Sequence, residues 1–590
     1  MSFRPTLLRS AILSLALFAT PWVAVRAAGA PAPIAGPETA APEIASESAP
    51  APADALKLTP EQQMQVQFHV MAGEMAAGRG QPGLAAEAFV KALELAPDAQ
   101  LAGRATQLAL SAGDAETAKL AARRWLELEP SSMDAREVLS RLALRDQDLD
   151  EVYAQSLEMI RGHAGGPAEG FRHVALLLSM EPEAGPRALE VLDRLVAQYP
   201  KLAGAYYAHA LVALRFEKID VAEKSAREAL RLKSDGRDET LLLIGVLVRK
   251  GALPEADTYV AKLLKKAKGE ERAEVRMTYA RLLLDASHRE HARTQLRETL
   301  KEDDKNQDAR YALGVMAFTD SEYEQAERLF APLAADPERG GDASYQLGRI
   351  AEARREWDKA LEHYRKVNTG GQAIEAAVRQ AAVMTRLGKA AEGRALIDQL
   401  RRQFPPLAPR LTLAEAEMLL DANLNDEALS VYDQALQKSP EDSGLLYGRS
   451  LVHERMGRFP QAEADLRRIL ASDKDDARAM NALGYMLAVN TDRFEEAHKL
   501  IEAALQRSPD DAAVIDSMGW VLYKLGRLDE ARGYLEKALG KAADPEISAH
   551  LGEVLWALGQ REQAQAVWDK ALARDPEHRV LRDTVQRLTR

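Results

Sequence analysis

Apolar residues in the stretch 516–539 recur at the spacing of two short amphipathic helices, which meet at Gly526. Gly519 and Ala531 are small residues at the points where two helix backbones would approach closely, and bulkier residues such as Leu535 fill neighbouring positions. A single hairpin of this kind cannot bury its apolar stripe. The pattern therefore predicts that the hairpin recurs along the chain.

The small residue that opens the second helix recurs about every 34 residues, which is the tetratricopeptide period. The predicted markers are Ala85, Ala118, roughly Ala154, Ala188, Ala222, Ala256, Ala292, Ala326, Ala360, Gly393, Ala428, Ala462, Ala497, Ala531 and Ala564. Fifteen units in phase leave little of the chain for any other fold.

Two further markers keep the same phase. Prolines that would stop a second helix stand twelve residues after the small residue, at Pro97, Pro130, Pro200, Pro440, Pro509 and Pro576. Glycines for the turn between helices stand five residues before it, at Gly113, Gly251, Gly388, Gly457, Gly526 and Gly559. The chain thus resembles the tetratricopeptide-repeat (TPR) family over about residues 60–580. That resemblance implies an all-α, right-handed superhelix (an α-solenoid) of about fifteen helical hairpins.

The N-terminal segment has the pattern of a secretory signal peptide over residues 1–28. Arg4 and Arg9 give it a positive start, and a mostly apolar run and small residues suited to cleavage follow. Residues 29–57 are rich in Ala and Pro and predict a disordered linker. Order is expected from Thr59, whose hydroxyl can cap a helix that starts at Pro60.

The repeat array is expected to consist of an N-terminal TPR-like part, 58–405, and a regular C-terminal part, 406–578. Clustered prolines predict an articulation near 400–410. Residues 579–590 carry an apolar stripe and a charged outer face, which predicts a capping helix for the end of the stack.

Composition limits which cell compartment and which kinds of chemistry are compatible with this chain. The net charge is −12, from 90 acidic and 78 basic residues, which argues against non-specific nucleic-acid binding. The absence of cysteine excludes disulfides, thiolate catalysis and attachment of lipid at a bacterial lipobox. With a cleaved signal peptide and no later apolar run of membrane-spanning length, the mature chain is predicted to be periplasmic, without a direct membrane span. The alternative is that the N-terminal segment is retained as a membrane anchor.

No catalytic constellation or cofactor motif emerges, so the chain is predicted to be non-enzymatic, with no cofactor and no metal. His288 and His291 are three residues apart, but they fall at a turn between helices and bring no obvious further ligand. An enzyme would need a catalytic domain outside the repeats, and the tally of units leaves no room for one.

The first helix of each hairpin is expected to line the concave groove. In the last units the groove-facing side chains predicted to bind protein or peptide segments are Tyr447, Asn481, Tyr485, Asp516, Trp520, Tyr523, Glu553 and Trp556. The alternative is that these residues fill neighbouring grooves and bury themselves.

A narrower resemblance covers the C-terminal third, in the motifs of residues 483–488, 490–497, 515–526 and 544–559. They are similar to the outer-membrane TPR lipoproteins of Gram-negative bacteria, which include the adaptor partner of periplasmic carboxyl-terminal processing proteases. The resemblance implies a non-catalytic adaptor that docks such a protease and delivers cell-wall hydrolases to it. Lacking cysteine, this chain cannot itself be a lipoprotein. The alternative is a scaffold of an envelope polysaccharide or pilus export machine.

Overall fold

The computed structural model describes residues 58–181 and 184–589, so the predicted signal peptide and linker lie outside the described residues. The described chain forms two compact units, residues 58–316 and residues 317–589, and contains helices but no strand. None of its helices is long and apolar enough to cross a membrane. The predicted fold class, an all-α solenoid of helical hairpins, is confirmed.

Short helices of similar length make up the N-terminal unit. They are α1 (Pro60–Gly78), α2 (Pro82–Leu95), α3 (Ala99–Ala112), α4 (Ala115–Leu128), α5 (Met133–Arg145), α6 (Leu149–Gly162), α7 (Pro167–Leu178), α8 (Gly185–Gln198), α9 (Ala203–Arg215), α10 (Ile219–Leu232), α11 (Arg237–Lys250), α12 (Leu253–Lys266), α13 (Glu270–Asp285), α14 (Arg289–Glu302) and α15 (Gln307–Thr319). Helix pairs pack as hairpins, for example α3 with α4 and α9 with α10.

The C-terminal unit continues the same pattern, with 3-10 turns at Ala331–Leu333 and Pro405–Leu407. Its helices are α16 (Tyr323–Phe330), α17 (Gly340–Ala353), α18 (Trp357–Arg365), α19 (Ala373–Arg386), α20 (Ala390–Gln403), α21 (Ala408–Asp421), α22 (Asn425–Lys438), α23 (Ser443–Arg455), α24 (Phe459–Ser472), α25 (Ala477–Asn490), α26 (Phe494–Arg507), α27 (Ala512–Lys524), α28 (Leu528–Lys541), α29 (Pro545–Ala557), α30 (Arg561–Leu572) and α31 (Arg579–Thr589).

The predicted small residues of the second helices lie at the closest approach inside each hairpin. All of them are buried except Ala154, which is exposed. In that unit the marker position is wrong by two residues: Val152, fully buried, stands four residues after the N-cap Asp148, where the other units have alanine or glycine.

The turn between the two helices takes a left-handed residue whether or not glycine is present. Gly526 has φ 76°, and the equivalent positions Gln147, Ser287 and Asn423 have φ between 63° and 65°. L-residues pay a steric cost in this region, so the packing of the hairpin imposes the turn on these units. This explains why the turn glycine was an incomplete marker in the sequence.

Helix starts follow the capping rules. Thr59 forms the predicted capping box with Gln62, with its hydroxyl oxygen accepting from the Gln62 N–H. Asp511 caps α27 by accepting from the Ala513 N–H at 2.8 Å. Aspartates after second helices are therefore structural as well as solubilising, because they satisfy free backbone N–H groups at the next helix start.

One apolar core runs through the C-terminal unit from Ala381 to Leu581, across the proline-rich stretch near 405. The articulation predicted near 400–410 remains a prediction. At the C-terminal end α31 packs on α29 through the fully buried Leu581, as a terminal cap requires.

Candidate functional site

The predicted groove residues lie on the first helices of the last hairpins, α23, α25, α27 and α29. The Tyr485 hydroxyl on α25 donates a hydrogen bond to Glu546 Oε1 on α29 at 3.3 Å, and so reaches past α27. Side chains 61 positions apart in sequence can meet only if the first helices converge on this face. We call this surface the C-terminal groove.

Asp516 lies at the floor of the C-terminal groove and is fully buried. Each of its carboxylate oxygens is 3.0 Å from Nδ1 of His550. Burial alone would lower the pKa of His550, but the facing Asp516 carboxylate outweighs burial and raises it. The pair is therefore a buried charge-assisted contact, and Asp516 has its partner inside the protein.

Trp520 stacks on the other side of this pair. Its ring centroid is 4.2 Å from that of His550 and 5.1 Å from that of Tyr523. Trp520 is 8% exposed, and its buried indole Nε1 has no hydrogen-bond partner among residues 58–181 and 184–589. A buried donor without a partner costs free energy.

Two predicted residues lie at the other end of the groove. Asn481, on α25, is half-buried, and its buried Oδ1 has no partner. Tyr447, on α23, is half-buried, and the Arg478 guanidinium lies 4.3 Å from its ring centroid. Burial raises the pKa of Tyr447, so its hydroxyl stays protonated.

The remaining predicted residues contact the capping region. Glu553 is buried, accepts from the Tyr523 hydroxyl at 3.3 Å, and pairs with Arg587 of the capping helix at 2.5 Å. The half-buried Trp556 has the Arg561 guanidinium 4.9 Å from its ring centroid. The structure thus brings the predicted residues onto one face, with some satisfied internally; whether the face binds a partner stays a prediction.

Sequence reasoning missed two carboxyl groups in the groove, Glu454 on α23 and Glu546 on α29. Burial and the nearby Glu546 carboxyl raise the pKa of Glu454 to about 7. Burial also raises the pKa of Glu546 to about 7, with Asp516 adding to the shift and His550 opposing it. Glu454 stands at the same position in α23 as the predicted groove residue Tyr523 does in α27. That equivalence is the sequence pattern from which Glu454 could have been predicted.

The sequence-predicted histidine pair diverges in the structure. His288 Nε2 lies 3.1 Å from the Val248 carbonyl oxygen, while His291 Nε2 lies 2.8 Å from Asp257 Oδ1. Within residues 58–181 and 184–589 no group of three potential ligands has metal-binding geometry.

A serine, a histidine and an aspartate also line up in the N-terminal unit, which the sequence did not reveal. His209 Nδ1 lies 2.8 Å from Ser225 Oγ, and His209 Nε2 lies 3.2 Å from Asp193 Oδ1. Ser225 sits in the middle of α10, where backbone N–H groups are used by the helix and cannot form an oxyanion hole. Burial lowers the pKa of His209, consistent with a neutral ring in a packed polar network.

Family profiles described as "Tetratricopeptide repeat" match residues 278–338, 317–373, 385–443, 447–512, 489–549 and 545–578. The chain contains tetratricopeptide repeats. The residues that these family profiles match include helices that form the C-terminal groove.

Two proteins are similar in sequence to part of this chain. It is 44% identical over 247 residues to the TPR repeat-containing protein PA4667 of Pseudomonas aeruginosa, covering 42% of each chain. It is 25% identical over 205 residues to the Hsp70-Hsp90 organizing protein of Triticum aestivum, covering 34% of each. The matches thus span less than half the length of these relatives. Among solved structures, the APC/C hetero-tetramer Cut9-Hcn1 covers 90% of this chain at 15% identity and a TM-score of 0.32.

Proposed function

We propose that this chain is a non-catalytic periplasmic scaffold that binds protein partners in the C-terminal groove. The observation that carries the proposal is the pair of buried polar atoms without partners, Nε1 of Trp520 and Oδ1 of Asn481, on one groove wall. An extended peptide presents backbone carbonyl and N–H groups that match this donor and this acceptor. TPR proteins bind other proteins or peptides, which agrees with this use of the groove.

Pre-organisation favours such binding. Trp520 is held between His550 and Tyr523, and Asp516 fixes His550, so these groups lose little freedom when a partner docks. Aromatic side chains contribute contact area at low entropic cost and are frequent among residues that dominate binding energy.

We further propose that the scaffold brings cell-wall hydrolases to a carboxyl-terminal processing protease. The support is the resemblance of residues 483–559 to the envelope TPR adaptors and the signal-like pattern of residues 1–28. A long array offers separate surfaces for two partners, and tethering both would raise their effective concentration.

Site-specific crosslinking tests the proposal. A photoreactive amino acid is placed at Asn481 in the full chain, expressed in a Gram-negative host that carries its own processing protease. The matched control carries the same amino acid at Glu536, an exposed position on the outer helix α28. Crosslinked proteins are identified by mass spectrometry after fractionation of the periplasm.

The expected result is crosslinking of a wall hydrolase or a processing protease from position 481 but not from position 536. Recovery of an outer-membrane export pore would instead support the export-machine alternative. Equal products from both positions, or no crosslinked protein, would contradict a binding role for the groove.

A further inference from the structure

The C-terminal groove carries carboxyl groups that the internal contacts leave without a cation. In the described part of the chain neither Glu454 nor Glu546 forms an ion pair, although basic side chains pair with acidic ones on many other helices of the unit. The Glu546 side chain accepts a hydrogen bond from the Tyr485 hydroxyl, at 3.3 Å. Glu546 is nonetheless 3% exposed. A buried carboxylate without a counter-charge is unfavourable.

The cluster contains more acid than base. Glu546 faces Glu454 on α23 and Asp516 on α27, and the imidazole beside Glu546 is that of His550, which Asp516 already engages. Asp544 adds a further acidic influence on Glu546. Two nearby bases have partners other than these carboxyls: Lys524 Nζ lies over the Trp520 ring, 5.1 Å from its centroid, and Arg587 pairs with Glu553.

A second, independent feature points to a ligand at the same place. The indole Nε1 of Trp520, which stacks on His550, is buried without an acceptor among the described residues, and Trp520 is more than nine-tenths buried. An extended peptide can provide both missing partners: a cationic side chain to pair with the carboxylates, and a backbone carbonyl oxygen to accept a hydrogen bond from the indole.

We infer that the C-terminal groove selects partner segments that carry an arginine or lysine side chain, which is held between Glu454 and Glu546 while a backbone carbonyl accepts from Trp520 Nε1. This inference rests on the proposed peptide-binding function of the groove and specifies the chemistry of its partner. A guanidinium is favoured over an ammonium because it can donate to two carboxylates in a fixed geometry.

Proton linkage gives the inference a distinctive signature. The pKa values of Glu454 and Glu546 are both raised to about 7, so near neutral pH these groups are partly protonated. A bound cation would favour their ionised forms and drive protons off. Affinity for a cationic segment should therefore increase several-fold from pH 6 to pH 8. The other titratable groups facing these carboxyls are Tyr447, Tyr485, Asp516, Asp544 and His550. Release of a proton by His550 in this pH range would remove a positive charge beside the carboxyls, and would add to the increase in affinity with pH.

The test uses two blocked pentapeptides, one with arginine at its centre among alanines and one with citrulline in place of arginine. Citrulline keeps the shape and loses the charge. Binding to the full chain is followed by the indole NH signal of Trp520, identified by its loss in Trp520→Phe. We expect the arginine peptide to bind at least tenfold more tightly, with the larger affinity at pH 8.

Variants locate the effect. Glu454→Gln should weaken binding of the arginine peptide about tenfold, whereas Glu536→Gln, on the exposed outer helix α28, should leave it unchanged although it removes the same charge. Equal binding of the two peptides by the wild-type chain, or no shift with either peptide, would overturn the inference. The comparison of the two peptides is made on the wild-type chain, so it holds even if Glu454→Gln fails to fold.

The outcome can be separated from that of the proposed function. If peptides fail to discriminate while a partner still crosslinks at position 481, the groove binds proteins without selecting charge. If crosslinking at position 481 also fails, the groove function itself is wrong.

Discussion

Gly519 tests the close-packed geometry on which every hairpin depends. A Cβ added to Gly519 on α27 would lie 2.5 Å from Cγ of Leu535 and 3.2 Å from the carbonyl oxygen of Ala531, both on α28. Leu535 is fully buried in the core of the unit and cannot swing into solvent. Gly519→Ala therefore forces the two helices apart or pushes Leu535 out of its rotamer.

Two opposing effects set the magnitude. Overpacking of a core costs about 1–3 kcal/mol, whereas replacing glycine by alanine inside a helix gains about 1 kcal/mol. The net change is a loss of about 0–2 kcal/mol. Gly533→Ala supplies the matched control, because Gly533 is exposed on α28 and its added Cβ meets nothing within 4 Å. Relative to that control, Gly519→Ala should lose about 1–3 kcal/mol.

Native-state hydrogen exchange of peptides from α27 and α28 measures this difference without assuming two-state unfolding of the whole chain. Since 1.4 kcal/mol is tenfold in an equilibrium constant, exchange in Gly519→Ala should be roughly 5- to 100-fold faster than in Gly533→Ala. Adding Leu535→Ala should relieve the clash and reduce the extra cost of Gly519→Ala. If Gly519→Ala protected α27 as well as the control does, the helix contact would be looser than the structure shows.

Three further changes test the turns, the buried carboxyl and the core. Ser287 has φ 65°, so Ser287→Gly should stabilise its hairpin by about 1 kcal/mol. Gly526→Ala should destabilise the hairpin that contains it by a similar amount. Hydrogen-exchange rates of these hairpins that stayed unchanged in both variants would refute this. The Glu546 carboxyl holds its proton up to about pH 7 in the folded protein but loses it near pH 4.5 when unfolded. The free energy of unfolding should therefore fall by on the order of 3 kcal/mol between pH 5 and pH 8, and it should fall less in Glu546→Gln. Denaturant titrations at several pH values measure both. An equal dependence of the unfolding free energy on pH in the wild type and in Glu546→Gln would contradict this. Trp568 is fully buried, so Trp568→Ala should cost about 3–5 kcal/mol, visible as a lower unfolding midpoint of the C-terminal unit.

Much of the fold could be predicted because its signals are local. The 34-residue period, the small residue at each helix crossing and the capping of Thr59 act within one hairpin, and a hairpin is short enough for its pattern to be read directly. The displaced marker at Ala154 shows the limit: in that unit Val152 occupies the contact position, and only the packed structure reveals its burial.

The partners of the groove residues were decided by tertiary structure. Sequence register placed Tyr485, Asp516 and Trp520 on one face, but it could not show that Tyr485 reaches Glu546 or that Asp516 is fully buried against His550. These contacts join residues 61 and 34 positions apart. They depend on small rotations that accumulate from hairpin to hairpin, a quantity that no local pattern of residues encodes.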